Sequence, residues 1–134
     1  MERQKEDLSW CNGDLMRFIY AHVPRTFSVM DIDCFQYKAY KNGKEVFRII
    51  EAKHNNEQLS KMQNIVLVKM CEHFKVLNSI YDNKKFEVYI INADALKEKN
   101  YLIEKAVITN MMTGATKTLF DDQVKKFLEL EFKV

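Results

Sequence analysis

Residues 30–53 read MDIDCFQYKAYKNGKEVFRIIEAK, and this stretch gives the strongest indication of fold and function in the chain. It predicts two strands, at about residues 28–37 and 45–54, joined by a tight turn. Acidic residues are poor strand formers, so acids inside these strands need an explanation beyond local folding. Asp31 and Asp33 lie in the first predicted strand, and Glu51 and Lys53 lie near the end of the second.

The turn between the two strands fixes their register. Lys41-Asn42-Gly43 suits a three-residue hairpin loop with Gly43 in the left-handed conformation. In that case Tyr40 pairs with Lys44, and every other pairing follows by counting outward.

The predicted register gathers charge on one patch. Counting outward sets Asp33 opposite Glu51, and it sets Asp31 opposite Lys53. Residues directly opposite share a face, with Cβ atoms roughly 5 Å apart. A loop of only two residues would shift the register by one and break the patch, so the clustering depends on the length of the loop.

Such a patch suggests metal chemistry. Adjacent carboxylates repel each other unless a cation lies between them, and Mg²⁺ (or Mn²⁺) is commonly held by one or two carboxylates plus substrate phosphate. The ion can polarise a phosphoryl oxygen and activate water, and a neighbouring lysine can stabilise the developing negative charge. The alternative is an exposed sheet face with ordinary ion pairs, and spacing alone does not decide between them.

Asp33, followed by Glu51-Ala52-Lys53 at the end of an apolar strand, resembles the signature of the PD-(D/E)XK nuclease superfamily. The match covers about residues 26–63, and it is most similar to small phage or prophage members. The resemblance implies an α/β, restriction-endonuclease-like fold: an αβββαβ-type core with a central mixed sheet flanked by helices. It also implies a Mg²⁺-dependent endonuclease or exonuclease that hydrolyses phosphodiester bonds in DNA, with RNA not excluded.

The resemblance also assigns residues to roles. The implied catalytic residues are Asp33, Glu51, Lys53 and Gln63, and the implied metal ligands are Asp33, Glu51 and Asp31. No proline precedes either aspartate, so the choice of main ligand between Asp31 and Asp33 stays open. The hairpin register favours Asp33.

Gln63 falls on a predicted helix that follows the second strand and runs to about residue 79. Its buried stripe is predicted as Leu59, Met62, Val66, Met70, Phe74 and Leu77. Gln63 also falls on this stripe, where a polar amide needs a partner. In some branches of the superfamily a glutamine at this place points into the site. The other interpretation is a capped edge position beside the core.

Composition narrows the class of protein. The chain has 134 residues, 47% of them hydrophobic, and a net charge of +2, which predicts one domain with residues 1–9 poorly ordered. Three cysteines argue against a disulfide framework and a structural zinc site. No signal peptide or membrane span is apparent, which predicts the cytoplasm of a bacterial or phage-infected host cell.

The remaining elements give an α-β-β-α-β order with further strands and a last helix. A first helix spans about residues 13–22, capped by Asn12. Residues 86–93 form a strand that is expected to be central and parallel to an earlier one. The remaining predictions are a weak helix at 95–103, a hairpin of 106–110 with 115–119, and a helix after Asp121.

Basic and aromatic residues near the hairpin suggest contacts with nucleic acid. The predicted phosphate-binding rim is Lys38, Lys44, Arg48, His54 and Lys61. An ordinary solvated hairpin would show the same lysines. Phe35, Tyr37 and Tyr40 could stack on bases, although strand aromatics more often pack across strands.

Three hypotheses of different classes follow. The favoured one is a metal-dependent nuclease, which would act as a homodimer if it cuts junctions or both strands. The second is a nuclease-fold domain that binds nucleic acid without cutting it. The third is a small interaction protein whose charged hairpin is incidental.

Overall fold

A computed structural model describes residues 13–22, 33–54, 57–131 and 134. The chain divides into two units, Met1–Asp31 and Ile32–Val134, and each is described by itself. Asp31, the cap Asn12 and residues 1–9 lie outside the described residues, so the predictions made for them stay predictions.

The first unit contains helix α1, Gly13–His22, at the predicted position. Asp14 lies in its first turn, where a negative charge is favourable for the helix dipole. Its carboxylate oxygen Oδ1 is 3.3 Å from Nη1 of Arg17, one turn later. Asp14 therefore pairs within its own helix.

The second unit is built on a mixed sheet, which confirms the α/β class. Five strands of the described residues follow the order of the chain across the sheet: β1 (Cys34–Ala39), β2 (Glu45–Lys53), β3 (Lys84–Ala93), β4 (Lys105–Asn110) and β5 (Thr116–Phe120). The β2–β3 pair is parallel and the other pairs are antiparallel. The strand predicted to be central is the middle strand, β3.

Among the described residues, two helices accompany this sheet: α2 (Lys61–Ile80) between β2 and β3, and α3 (Asp122–Leu128) after β5. None of the helices in the part of the chain described is long and apolar enough to cross a membrane. The parallel β2–β3 pair requires a crossover connection, and α2 supplies it.

The loop between β1 and β2 has the predicted length. The backbone N–H of Tyr40 donates to the carbonyl oxygen of Lys44 (2.7 Å), and the N–H of Gly43 donates to the carbonyl of Tyr40 (3.0 Å). Gly43 has φ of 83°, a left-handed conformation that glycine adopts without a Cβ penalty. The register runs from Cys34 opposite Ile50 to Ala39 opposite Glu45. Asp33 lies directly before β1 rather than inside it, so its pairing with Glu51 stays a prediction.

The two faces of the sheet are covered by different helices. On the α2 face, the ring of Phe74 lies 5.3 Å from that of Phe86, which stacks at 4.9 Å on Phe47. On the α3 face, Phe127 meets Tyr89 edge-on at 4.9 Å. Because strand side chains alternate between faces, these contacts assign every position of β1 to β3 to one face or the other.

The buried stripe of α2 differs from the prediction. Leu67 and Cys71 are its buried residues, whereas Met62 is 44% exposed. Gln63, Leu67, Cys71 and Phe74 recur at four- and three-residue intervals and therefore lie on one side of the helix. Met62 is turned about 100° away from this side, since each residue advances a helix by that angle.

The weak helix predicted at 95–103 is wrong. Only Lys97–Lys99 form a single 3₁₀ turn. Asn100 and Tyr101 follow with φ of 57° and 61°, and a left-handed backbone ends a right-handed helix. The segment closes instead through a bridge between Leu96 and Leu102. The hairpin predicted next is confirmed to within one residue, as β4 and β5.

Arg48 is buried in the α3 face, with 1% of the residue exposed. Its Nη1 donates to the carbonyl of Phe127 (2.5 Å), and its Nη2 lies 3.5 Å from Oε2 of Glu87. The guanidinium carbon also lies 4.3 Å from the centre of the Phe127 ring and 4.9 Å from that of Tyr89. Arg48 therefore ties β2, β3 and α3 together.

Arg48→Ala should lower the free energy of unfolding by about 3–5 kcal/mol, because it leaves the Glu87 carboxylate buried without its counter-ion. Urea denaturation followed by circular dichroism measures this loss. Lys44→Ala, at the exposed turn of the same hairpin, is the control and should change stability by less than about 0.5 kcal/mol. Equal effects of the two substitutions would contradict the structural role of Arg48.

Candidate active site

The candidate site lies where β2 ends and α2 begins. Glu51 and Lys53 alternate with Ala52, so both side chains lie on the α2 face. Glu51 is 4% exposed, and its Oε1 is 3.8 Å from Nζ of Lys53. A carboxylate and an ammonium are thus adjacent on a largely covered surface.

Gln63 joins this carboxylate to the start of α2. Its Nε2 donates to Oε1 of Glu51 (2.9 Å), while its Oε1 accepts from the backbone N–H of Ser60 (3.0 Å). Its own backbone N–H donates to Oγ of Ser60 (3.1 Å), which completes a capping box. The side chain of Gln63 therefore caps the helix and contacts the Glu51 carboxylate at the same time.

Asp33 lies beside the end of β2, directly before the neighbouring strand β1. Its Oδ2 accepts from the backbone N–H of Ala52 (2.9 Å). The side chain is exposed, in contrast to Glu51. The hydrogen bond holds the Asp33 carboxylate next to the Glu51-Ala52-Lys53 segment, from the side of the sheet edge.

The donor set of the site suits a hard cation. Carboxylate oxygens from Asp33 and Glu51 are the ligand type that Mg²⁺ prefers, and this ion usually keeps several waters and completes its coordination with substrate phosphate. Within the described residues, no group of three or more His, Cys, Asp or Glu side chains gathers to hold a metal. Two protein carboxylates fit Mg²⁺ better than a metal that requires a full cage of protein ligands.

A groove of about 770 Å³ adjoins the site on the side away from Asp33. The parallel register sets Ile90 of β3 beside Glu51, and Asn92 beside Lys53. We call this the polar groove; its lining is Glu57, Gln58, Leu59, Ser60, Lys61, Asn64, Ile90, Asn92, Val107 and Thr109. Amides and hydroxyls dominate its polar side chains, and Lys61 contributes a positive charge.

Two residues of the predicted basic rim lie near the site. Lys61 opens α2 and lines the polar groove. His54 directly follows β2 and is exposed, with Nδ1 3.0 Å from Oε1 of Glu57.

The other three members of the predicted rim are not around the site, and their prediction is corrected. Side chains alternate between the two faces of the hairpin, and Glu51 lies on the α2 face. By this alternation, Lys38, Lys44 and Arg48 belong to the α3 face. Lys38 donates to the carbonyl of Glu129 after α3 (3.1 Å), and Arg48 is buried. Lys44 is seven residues from Glu51 along the strand, roughly 23 Å away.

Sequence reasoning missed Asn92 and Ser60. Asn92 follows the apolar run of β3, and a parallel alignment of β2 with β3 would have placed it next to Lys53. Ser60 stands three residues before Gln63, which is the spacing of a capping box. Both signals were in the sequence, but each needs the exact element boundary to be recognised.

The cysteine on α2 has no part in this chemistry. Burial raises the pKa of the Cys71 thiol, and nearby Lys75 offsets this only in part. A thiol that stays protonated is a poor nucleophile. The side chains that meet at the end of β2 are the Asp33 and Glu51 carboxylates, the Lys53 ammonium and the Gln63 amide.

Comparison with known proteins identifies no relative, since no family model, no curated protein and no solved structure matches the chain.

Proposed function

We propose that the protein is a metal-dependent nuclease that hydrolyses phosphodiester bonds. The observation that carries the proposal is the arrangement at the end of β2, where Asp33 accepts from the backbone N–H of Ala52 (2.9 Å) and Lys53 lies 3.8 Å from the Glu51 carboxylate. The order α1-β1-β2-α2-β3 and the mixed sheet support a restriction-endonuclease-like core. These features agree with the resemblance to the PD-(D/E)XK superfamily.

Each side chain has a role in this proposal. Asp33 and Glu51 would hold Mg²⁺, which, when bound, polarises the phosphoryl oxygen and lowers the pKa of bound water. Lys53 would donate to the attacking water or to a phosphate oxygen that gains negative charge in the transition state. Gln63 would fix the orientation of the Glu51 carboxylate through its 2.9 Å hydrogen bond.

The test is cleavage of a panel of plasmid, duplex and single-stranded oligonucleotide substrates, each with Mg²⁺, Mn²⁺ or EDTA. We expect cleavage of at least one substrate that requires the divalent ion. Binding without cleavage on the whole panel would contradict the nuclease and favour a domain that only binds nucleic acid. Neither binding nor cleavage would favour an interaction protein.

The polar groove gives a separate prediction, because Lys61, the first residue of α2, contributes a positive charge to its lining. Lys61→Ala should weaken nucleic-acid binding uniformly across sequences and reduce the slope of log affinity against log salt by about one, as expected for one lost phosphate contact. Fluorescence anisotropy over a salt series measures the slope.

The control for Lys61 is Lys84→Ala. Lys84 lines a different groove, of about 610 Å³, at the opposite end of β3. Its removal takes away the same charge far from the site. The same change in slope for both variants would show that Lys61 acts only through net charge.

A further inference from the structure

Two large aromatic side chains on β1 are more than half exposed next to the candidate site. Phe35 is 58% exposed and Tyr37 is 53% exposed. They lie on the α2 face, which also carries Glu51 and Lys53, because Phe35 pairs with Ile49 and side chains alternate along a strand. The side chain between them, Gln36, faces the other way and donates to the carbonyl of Leu128 (2.7 Å).

Cross-strand packing explains only part of this arrangement. The ring of Tyr37 lies 5.0 Å from that of Phe47, so one side of it is packed. Phe35 pairs across the strands with Ile49, which is buried, yet more than half of Phe35 itself remains in solvent. Polar side chains would fill these two edge positions without that unfavourable exposure.

We propose that Phe35 and Tyr37 form an aromatic platform on which unpaired bases of the substrate stack, so that the enzyme acts on single-stranded nucleic acid. The inference rests on the proposed function and names its substrate class. The occupant is the stretch of nucleotides next to the scissile phosphate, because the platform lies on the same face as Glu51 and Lys53 and directly follows Asp33 in the chain.

The spacing and chemistry of the platform fit single strands. Side chains two residues apart on a strand are roughly 6.6 Å apart, which leaves each ring available to a different base of an extended chain. Base–aromatic stacking tolerates any sequence, because every base has a π face. Bases in a duplex are stacked on each other and cannot lie flat on these rings.

The experiment measures affinity of the full chain for a fluorescein-labelled oligonucleotide, single-stranded or annealed to its complement, in EDTA so that no cleavage occurs. DNA and RNA versions of the same sequence distinguish the two sources of unpaired bases. Phe35→Ala and Tyr37→Ala should each weaken single-strand binding about fivefold to 100-fold, the range for losing one base–aromatic stack. Duplex binding should change by less than twofold.

The matched control is Phe120→Ala. Phe120 is 51% exposed on β5, at the opposite edge of the sheet, and its removal should leave single-strand binding within twofold. Phe35→Trp should keep the affinity and add an indole whose fluorescence is quenched by the bound strand. Phe35→Leu should be as weak as Phe35→Ala, since leucine is apolar but cannot stack.

Several results would overturn the platform. They are equal losses for Phe35→Ala and Phe120→Ala, full affinity of Phe35→Leu, or equal loss on single strands and duplex. A second copy of the chain on β1 would show instead as a dimer, by light scattering, that Phe35→Ala dissociates without a change in single-strand binding.

The failure of the platform is distinguishable from that of the nuclease. Single-strand binding that depends on Phe35, with no cleavage under Mg²⁺ or Mn²⁺, would remove the nuclease and keep the platform. Metal-dependent cleavage of duplex alone, unaffected by Phe35→Ala, would keep the nuclease and remove the platform.

Discussion

Glu51→Gln should reduce metal-dependent cleavage to background while the protein stays folded. Glutamine keeps the volume of the buried side chain and can still accept the hydrogen bond from Nε2 of Gln63. It lacks the negative charge that a divalent cation requires, and Lys53 loses its ion-pair partner. Asp33→Asn should have the same effect on cleavage, because it removes the other carboxylate of the pair.

Three measurements check this prediction: cleavage rate, Mg²⁺ binding by calorimetry in the presence of uncleavable substrate, and thermal unfolding. Glu72→Gln is the matched control, since Glu72 is an exposed carboxylate on α2 away from the site. It should cleave at the wild-type rate. Unchanged cleavage by both Glu51→Gln and Asp33→Asn would remove the metal site from the proposal.

Lys53→Ala should lower the cleavage rate roughly 10²-fold or more, the size expected for losing one electrostatic stabiliser of the transition state. Its binding of nucleic acid should weaken far less, because other contacts hold the ground-state complex. Single-turnover cleavage and anisotropy on the same substrate separate the two effects. If Lys53 were an ordinary surface lysine, its removal would change the cleavage rate and the affinity for nucleic acid by only a small factor.

Lys53→Arg separates the effect of the positive charge from the effect of its geometry. Arginine keeps the charge but replaces a compact ammonium with a planar guanidinium of different hydrogen-bond geometry. We expect impaired cleavage here as well, since the ammonium lies within 3.8 Å of a buried carboxylate in a largely covered site. Lys69→Ala, on the exposed surface of α2, is the control. A wild-type rate for Lys53→Ala would end the catalytic assignment of this segment.

The hairpin shows what sequence alone can predict. The residues of its loop, Lys41-Asn42-Gly43, specify the turn, and the turn specifies the register from Ala39 with Glu45 to Cys34 with Ile50, beside which Asp33 lies. This part of the site is local in sequence, so residue chemistry over some twenty positions is enough. The parallel strand β3 was predictable for a related reason, because an apolar run after a long helix favours a crossover.

The errors came from contacts that are distant in sequence. Arg48 was interpreted as a phosphate ligand, but its partners are Glu87 and Phe127, on elements far along the chain. Lys38 was grouped with the site by proximity, whereas the alternation of the strand directs it to the other face. The side of α2 that is buried likewise depends on contacts with the sheet. The predicted buried stripe therefore includes Met62, whereas Gln63, one residue later, lies on the side that faces the sheet.

The amide of Gln63 has a consequence for the dynamics of the site. The same side chain closes the first turn of α2 and holds Glu51, and the backbone N–H of Asn64 donates to the carbonyl of Ser60 in that turn (3.0 Å). Any local unfolding of this turn therefore breaks the hydrogen bond to the Glu51 carboxylate, so the population of sites with this bond intact cannot exceed the population of intact first turns. Hydrogen exchange at the backbone amides of residues 63 and 64 thus measures how often this turn opens. Substrate that orders the carboxylate should slow that exchange.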